Sequence, residues 1–283
     1  MFGHRSDGRE LKTIPAEFRL MPTLMKERSD AQVMFKQDIP IAAIEEYIDK
    51  KAEEGIKMSI MDVVFAAVVR IIAERPSLNR FVVNGRCYAR HDIVTAITIK
   101  KSLSDEGEET SIKLKWEGNE NIFDIVNKLQ QVVAENKDDA TENGTDKTAD
   151  LIAKVPTAMI KKIVGLLKWL DKKGYLPKAI IDVSPFHTSA YVTNVGSIGI
   201  DAIYHHIYNF GTTSLFLAMG RKKKSWVFED DELVEEKNIT IGFVGDERIC
   251  DGYYYASSFR QLAKYLKKPE LLEEHPERKF DIK

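Results

Sequence analysis

The segment from Ser59 to Pro76 constrains the fold more than any other. Ser59-x-x-Asp62 has the pattern of a capping box, in which the hydroxyl and the acid satisfy orphan backbone N–H groups at a helix start. Val63, Val64, Ala67, Val68, Ile71 and Ile72 follow at helical spacing, spread over a wide arc, and Pro76 ends the run. A helix apolar around so much of its girth has to be covered on several sides. The chain must therefore build layers around it.

The flanking sequence supplies those layers. Residues 1–38 read as extended, with the apolar density of a strand over residues 31–35. Asp38 and Pro40 then read as the cap and first turn of a helix whose Ile41, Ile44, Tyr47 and Ile48 share a face and which Gly55 stops. After Pro76, Asn84-Gly85 between two apolar runs is a hairpin signal. Ile93–Lys100 and residues 110–116 alternate as strands, with an acidic turn over residues 102–109 between them. Ile122, Ile125, Val126, Leu129, Val132 and Val133 mark an amphipathic helix, followed by a polar loop over residues 137–147. A further helix spans 155–172, strands lie near Tyr191, Leu215 and Ile239, and a last helix over 253–267 ends before Pro269. Helices and strands interleave with no internal repeat, so one mixed α/β domain over residues 1–283 is expected.

Charge and cysteine usage remove several classes. Lys plus Arg is 42 and Asp plus Glu is 44, which excludes a strongly basic protein that reads nucleic-acid backbone charge over its whole surface. A chain 43% hydrophobic and 30% charged is not disordered. Cys87 and Cys250 are too few for a disulfide scaffold or a four-thiolate metal site, and they read as reduced thiols. No apolar leader or membrane-length run is seen, so a cytoplasmic location is expected.

Three segments in order resemble one family. They are Glu74-Arg75-Pro76-Ser77-Leu78-Asn79 with the hairpin behind it; Tyr191 to Gly199 with Ile207-Tyr208-Asn209 and residues 215–220; and Asp246-Glu247-Arg248-Ile249-Cys250-Asp251-Gly252 with a helix and Lys268-Pro269-Glu270-Leu271-Leu272. Together, over residues 21–272, they resemble the catalytic domain of the acyltransferase subunit of 2-oxo-acid dehydrogenase complexes, which shares its fold with chloramphenicol acetyltransferase. The resemblance implies a mixed β-sheet flanked by helices, a homotrimer with active sites in channels between subunits, and acyl transfer to or from the thiol of coenzyme A. Coenzyme A or an acyl-coenzyme A would be a substrate. No metal is implied, and no lipoyl or subunit-binding segment is recognisable, so a stand-alone core is expected, whose substrate diffuses in or comes from a partner.

The family motif is His-x-x-x-Asp-Gly, whose histidine deprotonates the thiol. Here Asp251 and Gly252 match, Thr193 matches the hydroxyl that stabilises the oxyanion, and Glu247 stands in the histidine's place. With reference pKa values of ~8.5, ~6.5 and ~4.3, moving a proton from thiol to histidine is uphill by about 2.7 kcal/mol and to glutamate by about 5.7 kcal/mol. The exchange costs about 3 kcal/mol of driving force unless a dry setting raises the glutamate. Pairing with Arg248 would act in the opposite direction. Three readings of Glu247 stand: loss of the family's catalysis, a working base in a modified acyltransferase, and a structural ion pair beside another base. Asp251 and Thr193 each also have a purely structural reading, Thr193 as an ordinary strand residue.

Other residues bear on the substrate. His187, Asn194, His205 and His206 are candidate substrate contacts, the histidines otherwise being satisfied or surface groups. Arg221-Lys222-Lys223-Lys224 reads as a solvated turn, or as a contact for coenzyme A phosphates. The helix over 155–172 sets Met159, Ile160, Ile163, Val164, Leu167 and Leu170 against Lys161, Lys162, Lys168 and Lys172. It packs on its own domain or a neighbouring subunit, or lies on a membrane surface. The stretch from residue 137 to 186 exceeds its counterpart in the family. Three functions compete: an acyltransferase, a non-catalytic trimeric binding or scaffold protein, and a membrane-peripheral module.

Overall fold

The computed structural model describes residues 5–100, 109–136, 155–229 and 231–281. Its elements in chain order are β1 (Gly8–Glu10), α1 (Ala16–Leu24), β2 (Gln32–Pro40), α2 (Ala42–Glu53), α3 (Ile60–Glu74), β3 (Arg80–Val83), β4 (Arg86–Arg90), β5 (Ile93–Lys100), β6 (Glu109–Trp116), α4 (Ile122–Glu135), α5 (Thr157–Lys173), α6 (Lys178–Val183), β7 (Ala190–Asn194), β8 (Leu215–Glu229), β9 (Glu232–Asp246) and α7 (Gly252–Lys267). The main sheet runs β2-β9-β8-β7-β5-β6, and a small sheet runs β1-β4-β3. β7 is parallel to both neighbours, whereas the β2–β9, β8–β9 and β5–β6 pairs are antiparallel, so the sheet is mixed as expected.

α3 is the hub the sequence demands. Ser59 accepts from the Asp62 N–H and the Asp62 carboxylate accepts from the Ser59 N–H, which closes the capping box. Every residue from Asp62 to Ala73 is buried. Around it one core joins α2, α3, α4 and α7 to one face of the sheet, through side chains such as Ile97, Val192, Leu217 and Phe243. Trp116 is fully buried there, stacked edge-on to Phe65, with its indole N–H donating to Thr95 Oγ1 at 2.8 Å. The opposite face carries a smaller cluster of Ala96, Tyr191, Ile207, Phe216 and Val244. Side chains alternate faces along each strand, so Thr193 shares this second face with Tyr191.

Several local expectations hold. Asn84 and Gly85 both have positive φ (51° and 75°), as a two-residue hairpin turn matched to strand twist requires. Asn121 and Asp124 form a second capping box at the start of α4. Others are corrected. The first 38 residues are not all extended: α1 occupies Ala16–Leu24, and Pro22 inside it disguises the helix from a sequence reading. Asp38 caps nothing. β2 continues through Pro40, where Asp38 lies opposite Thr240 and accepts its hydroxyl, and α2 begins at Ala42. Pro40 is tolerated because β2 is an edge strand. Residues 221–224 form no turn but lie within β8, paired with Asp201, Glu45 and Glu235. The expected acidic turn over 102–109 lies outside the described residues apart from Glu109, which opens β6, and the polar loop over 137–147 lies wholly outside them.

Candidate functional site

Two glycines shape the second face. A Cβ on Gly220 would lie 2.3 Å from the Ala202 nitrogen, and one on Gly242 would lie 2.3 Å from the Ile203 carbonyl oxygen. With hydrogen alone at these positions, the chain over residues 199–206 lies directly on β8 and β9. The Arg221 N–H donates to the Ile200 carbonyl at 3.1 Å and fastens the crossing. This delivers His205 onto the ring of Phe216, stacked at 4.1 Å and 7°. Phe216 in turn stacks on Tyr191 at 4.9 Å and 6°, and His206 stacks on His205 at 4.8 Å.

A cavity of about 430 Å³ opens beside this stack. Thr193, Asn194 and His205 line it, together with Tyr191, Tyr208 and Lys100. The volume is in the range that holds small organic ligands. Its chemistry is specific. The Tyr191 hydroxyl lies 2.7 Å from Thr98 Oγ1 and 2.6 Å from Ser111 Oγ, and burial raises its pKa. His205 Nδ1 is 2.9 Å from the His206 carbonyl oxygen. A carbonyl only accepts, so the neutral ring carries its proton on Nδ1 and keeps Nε2 as a free acceptor. Asn194 is partly committed, since its side-chain oxygen accepts from the Ser197 N–H at 3.1 Å. His206 is exposed at the outer end of the stack.

Glu247 lies elsewhere. Through the β7–β8 and β8–β9 registers, Thr193 is level with Ala218 and Gly242. Glu247 is therefore about 17 Å further along β9 and two strand spacings, about 10 Å, across. Its backbone N–H donates to the Ala31 carbonyl at 2.8 Å, and its side chain is exposed. The adjacent Arg248 does not claim it. That guanidinium clasps Asp246 at 2.8 and 2.7 Å and donates to the Met25 and Lys26 carbonyls. Arg28 stands 3.4 Å from the same carboxylate. Asp246, Arg248 and Arg28 are all buried, so they form an internal ion cluster that fixes the turn while Glu247 projects outward. Asp251 is the N-cap of α7, accepting from the Tyr254 N–H at 2.7 Å. Cys250 is buried, and burial pushes its thiol well above the usual range; Cys87 is pushed up to about 12 by the same cause.

His187 belongs to a third location. It is 1% exposed, with Nδ1 2.8 Å from Ser184 Oγ and Nε2 3.5 Å from Asp171 Oδ1. Burial lowers its pKa, against the opposing pull of Asp171. Arg5 holds the same Asp171 carboxylate at 2.7 Å. The structure thus brings Thr193, Asn194, His205 and His206 together, sets Glu247 and Asp251 at another end of the sheet, and buries His187 behind α5. Sequence reading missed Tyr191 and Phe216 as walls of the cavity; their alternation with Thr193 and Ala218 was the available signal. Among the described residues no group of His, Cys, Asp or Glu is arranged to hold a metal ion. Nor, among them, is any helix long and apolar enough to cross a membrane.

Comparison with known proteins agrees with this architecture. Residues 187–273, which include the cavity-lining loop, β7–β9 and the Glu247 turn, match the family model for the catalytic domain of 2-oxoacid dehydrogenase acyltransferases. The fold is that of a chloramphenicol acetyltransferase-like core. A probable dihydrolipoamide acetyltransferase from Listeria monocytogenes superposes with a TM-score of 0.57 at 15% identity, covering 91% of this chain and 95% of its own. The cubic core of a pyruvate dehydrogenase multienzyme complex gives 0.58 at 11% identity, over 93% and 94% of the two chains. A chloramphenicol acetyltransferase gives 0.56 at 10% identity, over 92% and 100%. At such identities the likeness is one of fold. No curated protein matches the chain by sequence.

Proposed function

We propose that this protein is a coenzyme A-linked acyltransferase that works as a homotrimeric core, a single domain over residues 1–283, with Glu247 of one subunit facing the Thr193 cavity of the next. The observation that carries the reading is the Thr193 cavity, lined by an aromatic stack and a histidine, within the segment that matches an acyltransferase catalytic domain. The separation of Thr193 from Glu247 within one chain is what an intersubunit site requires.

In this reading Glu247 accepts the proton of the coenzyme A thiol, and the thiolate attacks the acyl carbonyl carbon. The Thr193 hydroxyl donates to the resulting oxyanion. Collapse of the tetrahedral species expels the donor's thiolate, which recovers the proton from Glu247. Covering the exposed Glu247 with a neighbouring subunit supplies the dry setting that closes the ~3 kcal/mol deficit in driving force. Asp251 holds the start of α7, and Asn194 and His206 border the acyl or acceptor group. His187 acts at a distance, by fixing α5. Arg221 and Lys222–Lys224 remain an alternative contact for coenzyme A phosphates. The protein acts in the cytoplasm on small molecules, without nucleic acid or a metal.

A second reading, a non-catalytic trimeric binding or scaffold protein, is favoured by the exposure of Glu247 and the missing histidine. Acyl transfer between an acyl-coenzyme A and a thiol acceptor separates the two. On the first reading Glu247→Gln lowers turnover by ~100-fold or more, as for loss of a general base. Wild-type turnover that survives Glu247→Gln but is lost in His205→Gln moves the base to His205. A wild type without turnover that gains none on Glu247→His supports the scaffold.

A further inference from the structure

β7 stops pairing at Met219 and β2 stops at Asn238, yet β8 and β9 continue together. Residues 224–229 and 232–237 form a two-stranded arm that extends about 20 Å beyond the sheet. Opposite residues in an antiparallel pair share a face, and Phe228 lies opposite Leu233 with Trp226 two residues away. That face shows Trp226 at 61%, Phe228 at 74% and Leu233 at 61% exposure. An isolated ribbon is marginally stable in water, and a contiguous apolar patch of this kind marks an interaction surface. Residues 224–237 also carry six acids (Glu229, Asp230, Asp231, Glu232, Glu235 and Glu236) against two lysines, Lys224 and Lys237, and Lys224 pairs with Glu235 at 2.9 Å.

α5 is the counterpart. It has five lysines, and its one carboxylate, Asp171, is turned inward onto Arg5. Asp171 is also the helix's one buried residue. Met159, Lys162, Leu166, Trp169 and Lys173 recur at spacings of three and four, so they form one stripe, with Met159, Leu166 and Trp169 more than half exposed. The two surfaces do not cover each other within one chain, since Met159, Leu166 and Trp169 of α5 and Trp226, Phe228 and Leu233 of the arm all stay exposed. Asp171 is anchored beside His187, where β7 and β8 begin, and the arm departs from the far ends of those strands, with about 23 Å of β8 between.

We infer that the acidic, aromatic arm of one copy docks along the basic, apolar stripe of α5 on the next copy. The contact is heterologous, arm to helix, and such a contact generates a closed ring when its rotation closes. Closure at three rests on the trimeric reading above; the contact itself does not depend on the chemistry of Glu247. An anionic lipid surface would suit α5 but would repel the six acids and leave Trp226 and Phe228 uncovered.

Sedimentation equilibrium of the full chain at micromolar concentration tests this. The expected mass is three times that of the chain. Trp226→Ser with Phe228→Ser, Lys162→Glu with Lys173→Glu, and Glu232→Lys with Glu235→Lys should each lower the mass threefold. Combining both charge reversals in one chain should restore the trimer, which also shows that the single reversals fold. A monomeric wild type, a trimer indifferent to either reversal, or a combined variant that stays monomeric would overturn the docking. So would co-flotation of the wild type with anionic vesicles that Glu232→Lys with Glu235→Lys leaves unchanged. Coenzyme A binding by the same wild type is read separately, so the docking and the acyltransferase reading can fail independently.

Discussion

Gly242→Ala tests how the sheet carries the cavity. The added Cβ would lie 2.3 Å from the Ile203 carbonyl oxygen, against an ordinary C···O approach of about 3.3 Å. The obstacle is backbone, so the chain over 199–206 has to lift by about 1 Å rather than swing a side chain aside. Overpacking of this kind costs ~1–3 kcal/mol, and loosening the His205–Phe216 stack adds about 0.5–1.5 kcal/mol. For a chain of this size each kcal/mol shifts Tm by roughly 2–4 °C, so the combined cost of about 1.5–4.5 kcal/mol should lower Tm by about 3–18 °C. Calorimetry reads this, and the His205 ring resonances should lose their ring-current shift from Phe216. Gly165→Ala is the control. Its added methyl meets nothing within 4 Å, and removing a glycine from a helix interior should stabilise by up to ~1 kcal/mol. A Gly242→Ala protein within 0.5 kcal/mol of wild type, with unshifted His205 resonances, would refute the claim that this glycine seats the loop.

Asp171→Ala leaves His187 without its acid and Arg5 with Asp7 alone, and should cost ~1–3 kcal/mol, seen as a lower urea midpoint and early proteolysis within α5. Burial alone would raise the Asp171 carboxyl, but His187 and Arg5 hold it down to about 2, so its contribution is present above pH ~4 and is lost as the pH falls toward 2. Burial lowers Lys113 to about 7. Between pH 7 and its unfolded value near 10.5 the folded amine is neutral while the unfolded one is charged, so stability rises with pH by up to about 1.4 kcal/mol per unit. Lys113→Met should flatten that slope in urea titrations between pH 7 and 9; an unchanged slope would exonerate the lysine.

Local chemistry was legible in the sequence, and competition between distant segments was not. Asn84-Gly85 and Ser59-x-x-Asp62 specify their turn and cap through neighbours within a few residues, and both form as read. Asp38 and Pro40 carry equally local helix-start signals, yet pairing with β9 extends the strand through them. The Arg221–Lys224 run looked like a solvated turn because nothing local announces that β8 and β9 continue as a free arm. The assembly of the Thr193 cavity depends on two glycines, Gly220 and Gly242, in strands that receive a crossing segment from elsewhere in the chain. The missing motif histidine was visible at once, whereas the outward projection of Glu247 comes from the buried Asp246–Arg248–Arg28 cluster, whose Arg28 lies far away in sequence.

The proposed acyltransferase activity requires that this core bind coenzyme A at the Thr193 cavity. Thermal unfolding of the wild type with coenzyme A and short acyl-coenzyme A species addresses it without assuming a rate. At ~100 times its dissociation constant a native-state ligand stabilises by about 2.7 kcal/mol, so Tm should rise by roughly 5–11 °C. Thr193→Trp, which fills the cavity, should abolish that rise while the variant still unfolds cooperatively. An unshifted wild-type Tm with every species at millimolar concentration would contradict the account.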